Sequence, residues 1–480
     1  MNGELPKGWV WTSIGEIALK LRSGGTPLKK MNEYYENGTI PFVKIEDIST
    51  SGKYLYNTLT TITEEGLNNS SAWIVPKDSL LYSMYASYGI PIINKIEVAT
   101  NQAIIAFIPI KDIIELDYVY YYLLFVKSSL KSKIRGTTQE NLNAKIVSNI
   151  EVPLPPLAEQ QRIVNKVEEL FTNLDKGVES LEEVKYKLKV YRQAILKYAM
   201  EGKLTEKWRE ENKDRVESEI LQLIKSLKEK QKILTDENSN DLDDIFSPNS
   251  WVRLRLTELT KTINPGFPCG RHNNEGRGVL HVRPMNIDRE GRINLVNTKY
   301  VETNIYDPLS KGDILFNNTN SSELVGKTTY IESDTNWAYS NHMTRIRINT
   351  PLVNNKWIST YLHFLFLSGY FGGICIHHVN QSSVSSRVLS EKIPIPIPSI
   401  SEQNFILQNI DQYFSIADKE FETINYLLEQ SKLLRQSILK KAFEGKLVQQ
   451  GPSDEPAELL LEKIIKQRLN KGELVQEKLV

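Results

Sequence analysis

The phrase YRQAILKYAMEGKL closes at Leu204 and returns as LRQSILKKAFEGKL closing at Leu447, 243 residues later. VPLPPLAEQ at 152–160 returns as IPIPSISEQ at 395–403 with the same offset, and no gap is needed between Val152 and Leu204. A block of this length repeated without insertion makes everything between the copies part of a repeat unit as well. Whatever the chain folds into must therefore be built twice.

Each copy predicts a long helix. In the first, apolar residues fall at Ile163, Val167, Leu170, Leu174, Val178, Leu181, Val184, Leu188, Tyr191, Ile195 and Ala199. The second follows in phase through Ile406, Ile410, Tyr413, Ala417, Phe421, Ile424, Leu427, Leu434, Ile438 and Ala442. Steps of three and four are the coiled-coil period. Pro155, Pro156 and Pro398 precede the helices, and Gly202 and Gly445 read as their stops. Each helix could run about 48 residues, roughly 70 Å. One apolar stripe in water needs another, so each copy is expected to supply the other's partner. Chain connectivity favours antiparallel pairing, with a globular segment at each end of a spacer.

The expected fold class is thus mixed α/β (α+β): two pseudo-repeated globular domains separated by two long antiparallel coiled-coil helices. The expected boundaries are a first domain at 1–156, a spacer helix at 157–204 and an acidic helical connector at 205–250. A second domain at 251–398, a second spacer helix at 399–447 and an amphipathic tail at 448–480 follow. Both globular segments start on Trp-Val, Trp9-Val10 and Trp251-Val252. IPFVKIEDISTSG at 40–52 parallels VLHVRPMNIDREG at 279–291, and KDSLLYS at 77–83 parallels KGDILFN at 311–317. Asn101-Gln102 is aligned with Asn341-His342, and GTTQENL at 136–142 with HVNQSSV at 378–384. Elsewhere the segments diverge. One scaffold carries two different surfaces.

Composition excludes several classes. There is no run of 18 apolar residues and no signal-peptide pattern, so no membrane role and a cytoplasmic location are expected. Cys269 and Cys375 are too few for a disulfide framework or a zinc cage. Charge balances at 59 basic against 59 acidic residues, but its distribution is uneven. Residues 252–398 carry 16 positive and 11 negative charges and all six histidines, whereas residues 205–245 carry 8 positive and 12 negative. The second globular segment is modestly basic and the connector offsets it.

Catalytic signatures fail on inspection. NPGF at 264–267 is similar to the amine-gripping loop of DNA amino-methyltransferases, but it lacks the second proline and any neighbouring methyl-donor motif. It reads as a proline-glycine turn. VGKTT at 325–329 has Ser321 where a phosphate-binding loop requires glycine. His377-His378 lacks a third ligand at metal spacing, so no metal site is expected. No nucleophile arrangement stands out, and no catalytic residue is assigned.

The polar, flexible stretches suit DNA. LRSGGTPLKK at 21–30 places Arg22, Thr26, Lys29 and Lys30 around a turn, and KSSLKSKIRGTTQ at 127–139 offers Lys133, Arg135, Thr137, Thr138 and Gln139. In the second segment CGRHNNEGRG supplies Arg271, His272 and Asn273, and HHVNQSS supplies His378, Asn380 and Gln381. Cations and hydroxyls fix phosphates, while amides and arginines read base edges. Taken singly, each stretch also reads as a solvated loop.

These features together resemble the specificity (HsdS) subunit of type I restriction–modification enzymes. The matching residues are the Pro-rich lead with Glu159-Gln160 and Glu402-Gln403, and the helix ends Glu201-Gly202-Lys203-Leu204 and Glu444-Gly445-Lys446-Leu447. SGGTP at 23–27, IPFVKIEDI at 40–48 and GDILF at 312–316 look like landmarks of its target-recognition domains. One departure is that CGRHNN stands where the first domain has its GGTP turn, so reading roles do not transfer between domains. The resemblance implies a non-catalytic subunit that reads a split, asymmetric site in double-stranded DNA, one domain per half-site. It also implies two adenine-methyltransferase subunits docked on the helical pair, joined by motor–nuclease subunits. S-adenosylmethionine, ATP and magnesium would then bind those partners and not this chain. Short amphipathic helices at 205–245 and 452–469 could dock the methyltransferases or simply cap the helices. Two rivals remain: a fused methyltransferase–nuclease, which needs motifs absent here, and a protein-binding adaptor with two paralogous modules and no nucleic-acid role.

Overall fold

The computed structural model describes residues 4–84, 89–110, 112–134, 142–229, 248, 250–379 and 381–470. The two long helices are Leu157–Met200 and Ile400–Phe443, each of 44 residues. Gly202 and Gly445 lie just beyond them at φ +67° and +66°, the left-handed conformation that ends a helix and that a side chain resists.

The chain divides into two compact units, Met1–Leu181 with Asn425–Val480 and Glu182–Ile424. Each contains one globular segment and halves of both long helices. In the first, Ile163, Val164 and Val167 share a core with Ile438, Leu439, Ala442 and Phe443. In the second, Leu196, Ala199 and Met200 share a core with Ile406, Leu407 and Ile410. Early residues of one helix meet late residues of the other in both units, so the pairing is antiparallel. The expected stripe is only partly covered. Leu427 and Leu434 in the first unit and Val184 and Tyr191 in the second stay more than 40% exposed. A stripe wider than a two-strand seam cannot be hidden by one partner helix.

Both globular segments close in the same way. In the first, Val10–Ser13 pairs antiparallel with Glu151–Leu154; in the second, Val252–Leu254 pairs with Ile395–Ile397. First and last strands are thus joined immediately before the long helix begins. The main sheet of the first segment runs in the order Ala18–Ser23, Ile104–Pro109, Ser79–Ser83, Pro91–Asn94, Tyr54–Leu55. Its counterpart runs Thr260–Pro265, Met343–Ile348, Ile314–Asn317, Thr328–Tyr330. A smaller sheet places Ile40–Val43 parallel to Ala99–Thr100, and Val279–Val282 parallel to Ala338–Tyr339.

The repeated Glu-Gln pair explains itself at the start of each long helix. Glu159 and Glu402 are fully buried, and each accepts a hydrogen bond from an indole, Trp9 Nε1 and Trp251 Nε1, both at 3.0 Å. The neighbouring glutamine ties a second helix to the first. Gln160 Oε1 accepts from the Glu115 amide at 2.9 Å and Gln403 Oε1 from the Asn354 amide at 2.7 Å, just before the helices Leu116–Ile134 and Asn355–Leu367. Each amide nitrogen then donates to a proline carbonyl, Pro155 or Pro398. A buried carboxylate or amide without partners costs free energy, so the whole constellation must be repeated together.

The short helices after the spacers act as caps. Val216, Leu223 and Leu227 of Lys213–Glu229 are buried in the second unit, and Ala457, Leu460 and Ile464 of Ala457–Asn470 in the first. Their inner faces are occupied within this chain. No helix among the described residues is long and apolar enough to cross a membrane.

Candidate nucleic-acid interface

In the first domain the strand Ala18–Ser23 delivers Arg22 to an exposed position beside Trp73. The guanidinium carbon is 5.5 Å from the ring centroid and Lys20 Nζ is 4.4 Å from it, on an indole that donates to the Ser23 carbonyl at 3.2 Å. Cation–π contact holds both charges near the loop that follows. That loop is stitched down by Gly24 N donating to Ile104 O and Gly25 N to Thr100 O. A Cβ on Gly24 would lie 2.0 Å from the Thr100 carbonyl oxygen, and one on Gly25 2.5 Å from the Ser71 carbonyl carbon. Both glycines are required by close approach. Thr26 then donates its hydroxyl to Gln102 Oε1 from the neighbouring loop, and Lys29 and Lys30 project into solvent. An amide oriented by a hydroxyl and flanked by three exposed cations can read a base edge while the cations hold phosphate. Gln102 was not singled out as a site residue from the sequence; its contact with Thr26 crosses 76 positions.

Lys133 lies in the helix Leu116–Ile134, but its side chain is outside the described residues, as are Arg135, Thr137, Thr138, Gln139 and Asn380. The flanks of those stretches are informative. Leu142 N donates to Met84 O at 3.2 Å and Val384 N to Asn318 O at 2.9 Å, both on buried residues, which agrees with the alignment of 136–142 with 378–384.

Two other alignments are corrected. Asn101 N donates to Val43 O, and Ser340 N donates to Val282 O, so Asn101 corresponds to Ser340 and Gln102 to Asn341. The alignment of Asn101-Gln102 with Asn341-His342 expected from the sequence is thus one residue out of register. The second correction concerns the turn. Gly266 occupies the position of Gly24, since its Cβ would meet Tyr339 O at 2.0 Å, where Tyr339 pairs with Val282 as Thr100 does with Val43. The counterpart of the glycine turn is therefore NPGF at 264–267, and CGRHNN lies beyond it.

Arg271 is exposed, whereas its neighbours have partners within the domain. His272 Nε2 lies 2.9 Å from His281 Nδ1, and the His281 ring lies tilted against Phe267 with 4.9 Å between ring centroids. Burial, then the neighbouring His272, pushes the His281 pKa down to about 4, and burial also lowers that of His272. Asn273 accepts from the amides of Glu275 and Arg277 and donates to the Arg277 carbonyl, stapling its own loop. At the other stretch, Ile376–His377 pairs with Ser382–Ser383, which pairs with Thr319–Asn320. His377 Nδ1 and His378 Nε2 sit 3.0 and 3.1 Å from the hydroxyls of Ser382 and Ser383. The tip is exposed, with His378 and Gln381 facing solvent beside the 99% exposed Val379.

The motifs set aside from the sequence have structural uses. Lys327 of VGKTT is buried, and its ammonium donates to the carbonyls of Pro284 and Ile287. Among the described residues no group of three His, Cys, Asp or Glu side chains could hold a metal.

Residues 6–186 match the family described as type I restriction modification DNA specificity domain. The specificity subunit of the EcoKI type I restriction enzyme of Escherichia coli K12 is 25% identical, over 98% of this chain and 97% of that protein. The EcoBI subunit of Escherichia coli is 23% identical over 98% and 95%. The chain is similar to these specificity subunits along nearly its whole length. Solved structures agree on the fold. One, from work on complex assembly and conformational transition of the type I R-M system, superposes at TM-score 0.67 with 19% identity, covering 92% of this chain and all of the other. The HsdS subunit of Thermoanaerobacter tengcongensis superposes at 0.54, also with 19% identity, covering 93% and 99%. The mixed α/β fold with two paralogous globular domains and an antiparallel helical pair is the fold of these solved structures.

Proposed function

We propose that this chain is the DNA-specificity subunit of a type I restriction–modification complex, each recognition domain reading one half of a split, asymmetric target. The observation that carries this reading is the repeated Trp–Glu–Gln hub beneath two divergent loop surfaces, together with similar proteins of that role along nearly the whole chain. Scaffolds are repeated so that surfaces can differ. In the first domain Arg22, Thr26, Lys29 and Lys30 bind DNA with Gln102, and Lys133, Arg135, Thr137, Thr138 and Gln139 join them. In the second, Arg271, His378, Asn380 and Gln381 serve, with His272 and Asn273 shaping the loop behind Arg271. The domains are 1–156 and 251–398, the spacers 157–204 and 399–447, with a connector at 205–250 and a tail at 448–480.

The chain carries no catalysis of its own. Two adenine-methyltransferase subunits dock on the helical pair and motor–nuclease subunits join them, in the cytoplasm. Methyl donor, ATP and magnesium bind those partners. The relatives do not favour a protein-binding adaptor.

Purified alone, the protein should show no methyl transfer, ATP hydrolysis or cleavage. With its cognate methyltransferase it should direct adenine methylation to a bipartite site, with affinity falling steeply as salt rises. Methyl transfer by the isolated chain, or binding indifferent to salt, would overturn this reading.

A further inference from the structure

The hub at Glu159 or Glu402 gives each recognition domain a directional polar tie near the start of its long helix, beside the apolar core that domain and helix share. Apolar burial is non-directional, so a single polar tie does not by itself fix the angle between them. Both units carry a second tie farther along the helix, and the two are built differently.

In the first unit Lys53 follows the polar turn after Ile45–Thr50 and reaches two carboxylates. It pairs with Asp117 in the first turn of Leu116–Ile134 at 2.5 Å, and with Glu168 of the long helix. Its side chain is only 16% exposed, and its ammonium faces the ring of Tyr121 at 4.8 Å. Burial opposes the charge, yet the hydrogen bonds that Lys53 donates to Asp117 and Glu168 more than offset it and raise the lysine pKa. One cation thus joins three elements: the domain's turn, the domain's helix and the spacer.

The repeat register assigns the counterparts. Tyr118 and Trp357 donate to the matching carbonyls of Pro153 and Pro396, so Asp117 corresponds to Lys356. Lys53 corresponds to Arg292 through the aligned stretches 40–52 and 279–291, and Glu168 to Asp411 through the hub. Charge is reversed at one of the three positions. Lys356 takes Asp411 directly at 2.7 Å. Arg292 passes that pair and binds Asp418 at 2.6 Å, about 10 Å farther along the helix. Asp418 also accepts from Arg192 of the other long helix, whose guanidinium lies 4.3 Å from the Phe414 ring centroid. The hydrogen bonds from Arg292 and Arg192 outweigh burial and hold the Asp418 carboxyl below its ordinary pKa.

We propose that Lys53 and the Arg292–Asp418 pair are positioning residues that lock the angle of each recognition domain on its spacer, and so set how strictly the gap between half-sites is measured. None of these side chains belongs to the loops assigned to DNA. They act through orientation: a polar tie farther along the rod, Lys53 in the first unit and Arg292–Asp418 beyond Lys356–Asp411 in the second, restricts a rotation that the ties nearer the hub permit. The inference rests on the specificity-subunit reading.

The test uses the full chain with its cognate methyltransferase and a DNA library in which both half-sites are constant and only the gap varies. The wild type should methylate one gap far faster than its neighbours. Asp418→Asn is isosteric at a partly exposed site, and Lys53→Met keeps the aliphatic stem among the tyrosines. Each should lower the ratio between the best gap and its neighbours by about fivefold or more, the usual scale of coupling between sites. Half-site sequence should not change, and Lys53→Arg should retain the narrow profile. A folded variant whose rates fall equally at every gap, or whose profile stays as narrow as the wild type, would overturn the proposal. A wild-type complex that methylates no split site would instead sink the functional reading beneath it. Because Asp418→Asn probes one unit and Lys53→Met the other, a folding failure in either leaves the second to decide.

Discussion

Arg209 Nε lies 2.8 Å from Glu402 Oε1, a fully buried carboxylate that also accepts from Thr205 and the Trp251 indole. The matching carboxylate in the first unit, Glu159, has the Trp9 indole and a long contact from Gln450 at 3.4 Å, but among the described residues no cation is bonded to it. Its Oε1 has no hydrogen-bond partner. Two copies of one hub therefore differ in how their buried charge is neutralised, and that difference has measurable consequences.

Removing the cation from the second hub strands a buried charge. Arg209→Met should cost about 3 kcal/mol, the scale for breaking a buried pair from one side, with the two remaining donors keeping it near the low end. Glu402→Gln added to Arg209→Met should recover part of the loss. Urea midpoints of the three proteins check this. A single variant as stable as the wild type would show that the indole and hydroxyl suffice.

Glu159 behaves in the opposite sense. Burial raises its pKa above the ordinary carboxylate value, outweighing the hydrogen bonds that lower it. A carboxyl with a raised folded-state pKa contributes stability that is complete below its unfolded pKa and lost as pH rises through the folded one. At neutral pH the wild type therefore carries a penalty that Glu159→Gln removes. The variant should match or exceed wild-type stability at pH 7, with its advantage vanishing toward pH 4. Thermal midpoints across that range decide it; an advantage independent of pH would exclude ionisation as the cause.

Acid should loosen the second domain first. Burial is the leading cause holding His281 and His363 near pKa 4, and the chain's six histidines all lie in that half. For a base the sign is reversed: as pH falls below about 6.5 the unfolded chain takes up protons that the native state refuses. Each histidine then lowers stability by up to about 1.4 kcal/mol per pH unit until about pH 4. Hydrogen exchange, corrected for intrinsic rates, should quicken between pH 7 and 5 in Val279–Val282 and Asn355–Leu367 but not in Ile40–Val43. Equal change in both domains would place the acid sensitivity elsewhere.

Gly24 offers a test of the reading surface proposed for the first domain. Its Cβ would sit 2.0 Å from backbone oxygen, so Gly24→Ala must displace the loop and part Thr26 from Gln102. Discrimination at one half-site should fall while the other is read normally. Binding to DNA with each half-site randomised in turn measures this. Unchanged discrimination in a folded variant would remove that loop from the interface.

The long helices, their partnership and their stops were legible in the sequence because they depend on short-range periodicity. Apolar steps of three and four specify a face, and glycine specifies where the backbone turns left-handed, wherever the helix lies. The constant offset of 243 across the helical block makes the duplication visible for the same reason, since an inserted residue would rotate every following apolar side chain off its face. The domain loops obey no such rule. Val43 and Val282 differ by 239 positions, while Ser83 and Asn317, aligned by their strands, differ by 234, so the register drifts with each loop. Only the amide-to-carbonyl pairing of Asn101 with Val43 and of Ser340 with Val282 settled a one-residue ambiguity. His272 has the composition of a surface ligand, yet its neighbour His281 lies 1% exposed beneath it. Lys53 and Arg292 occupy one place in the repeat but bind different turns of the helix, because the sign of one neighbour, Asp117 or Lys356, was changed. Charge partners are chosen by proximity in three dimensions, and a one-dimensional offset does not contain that distance.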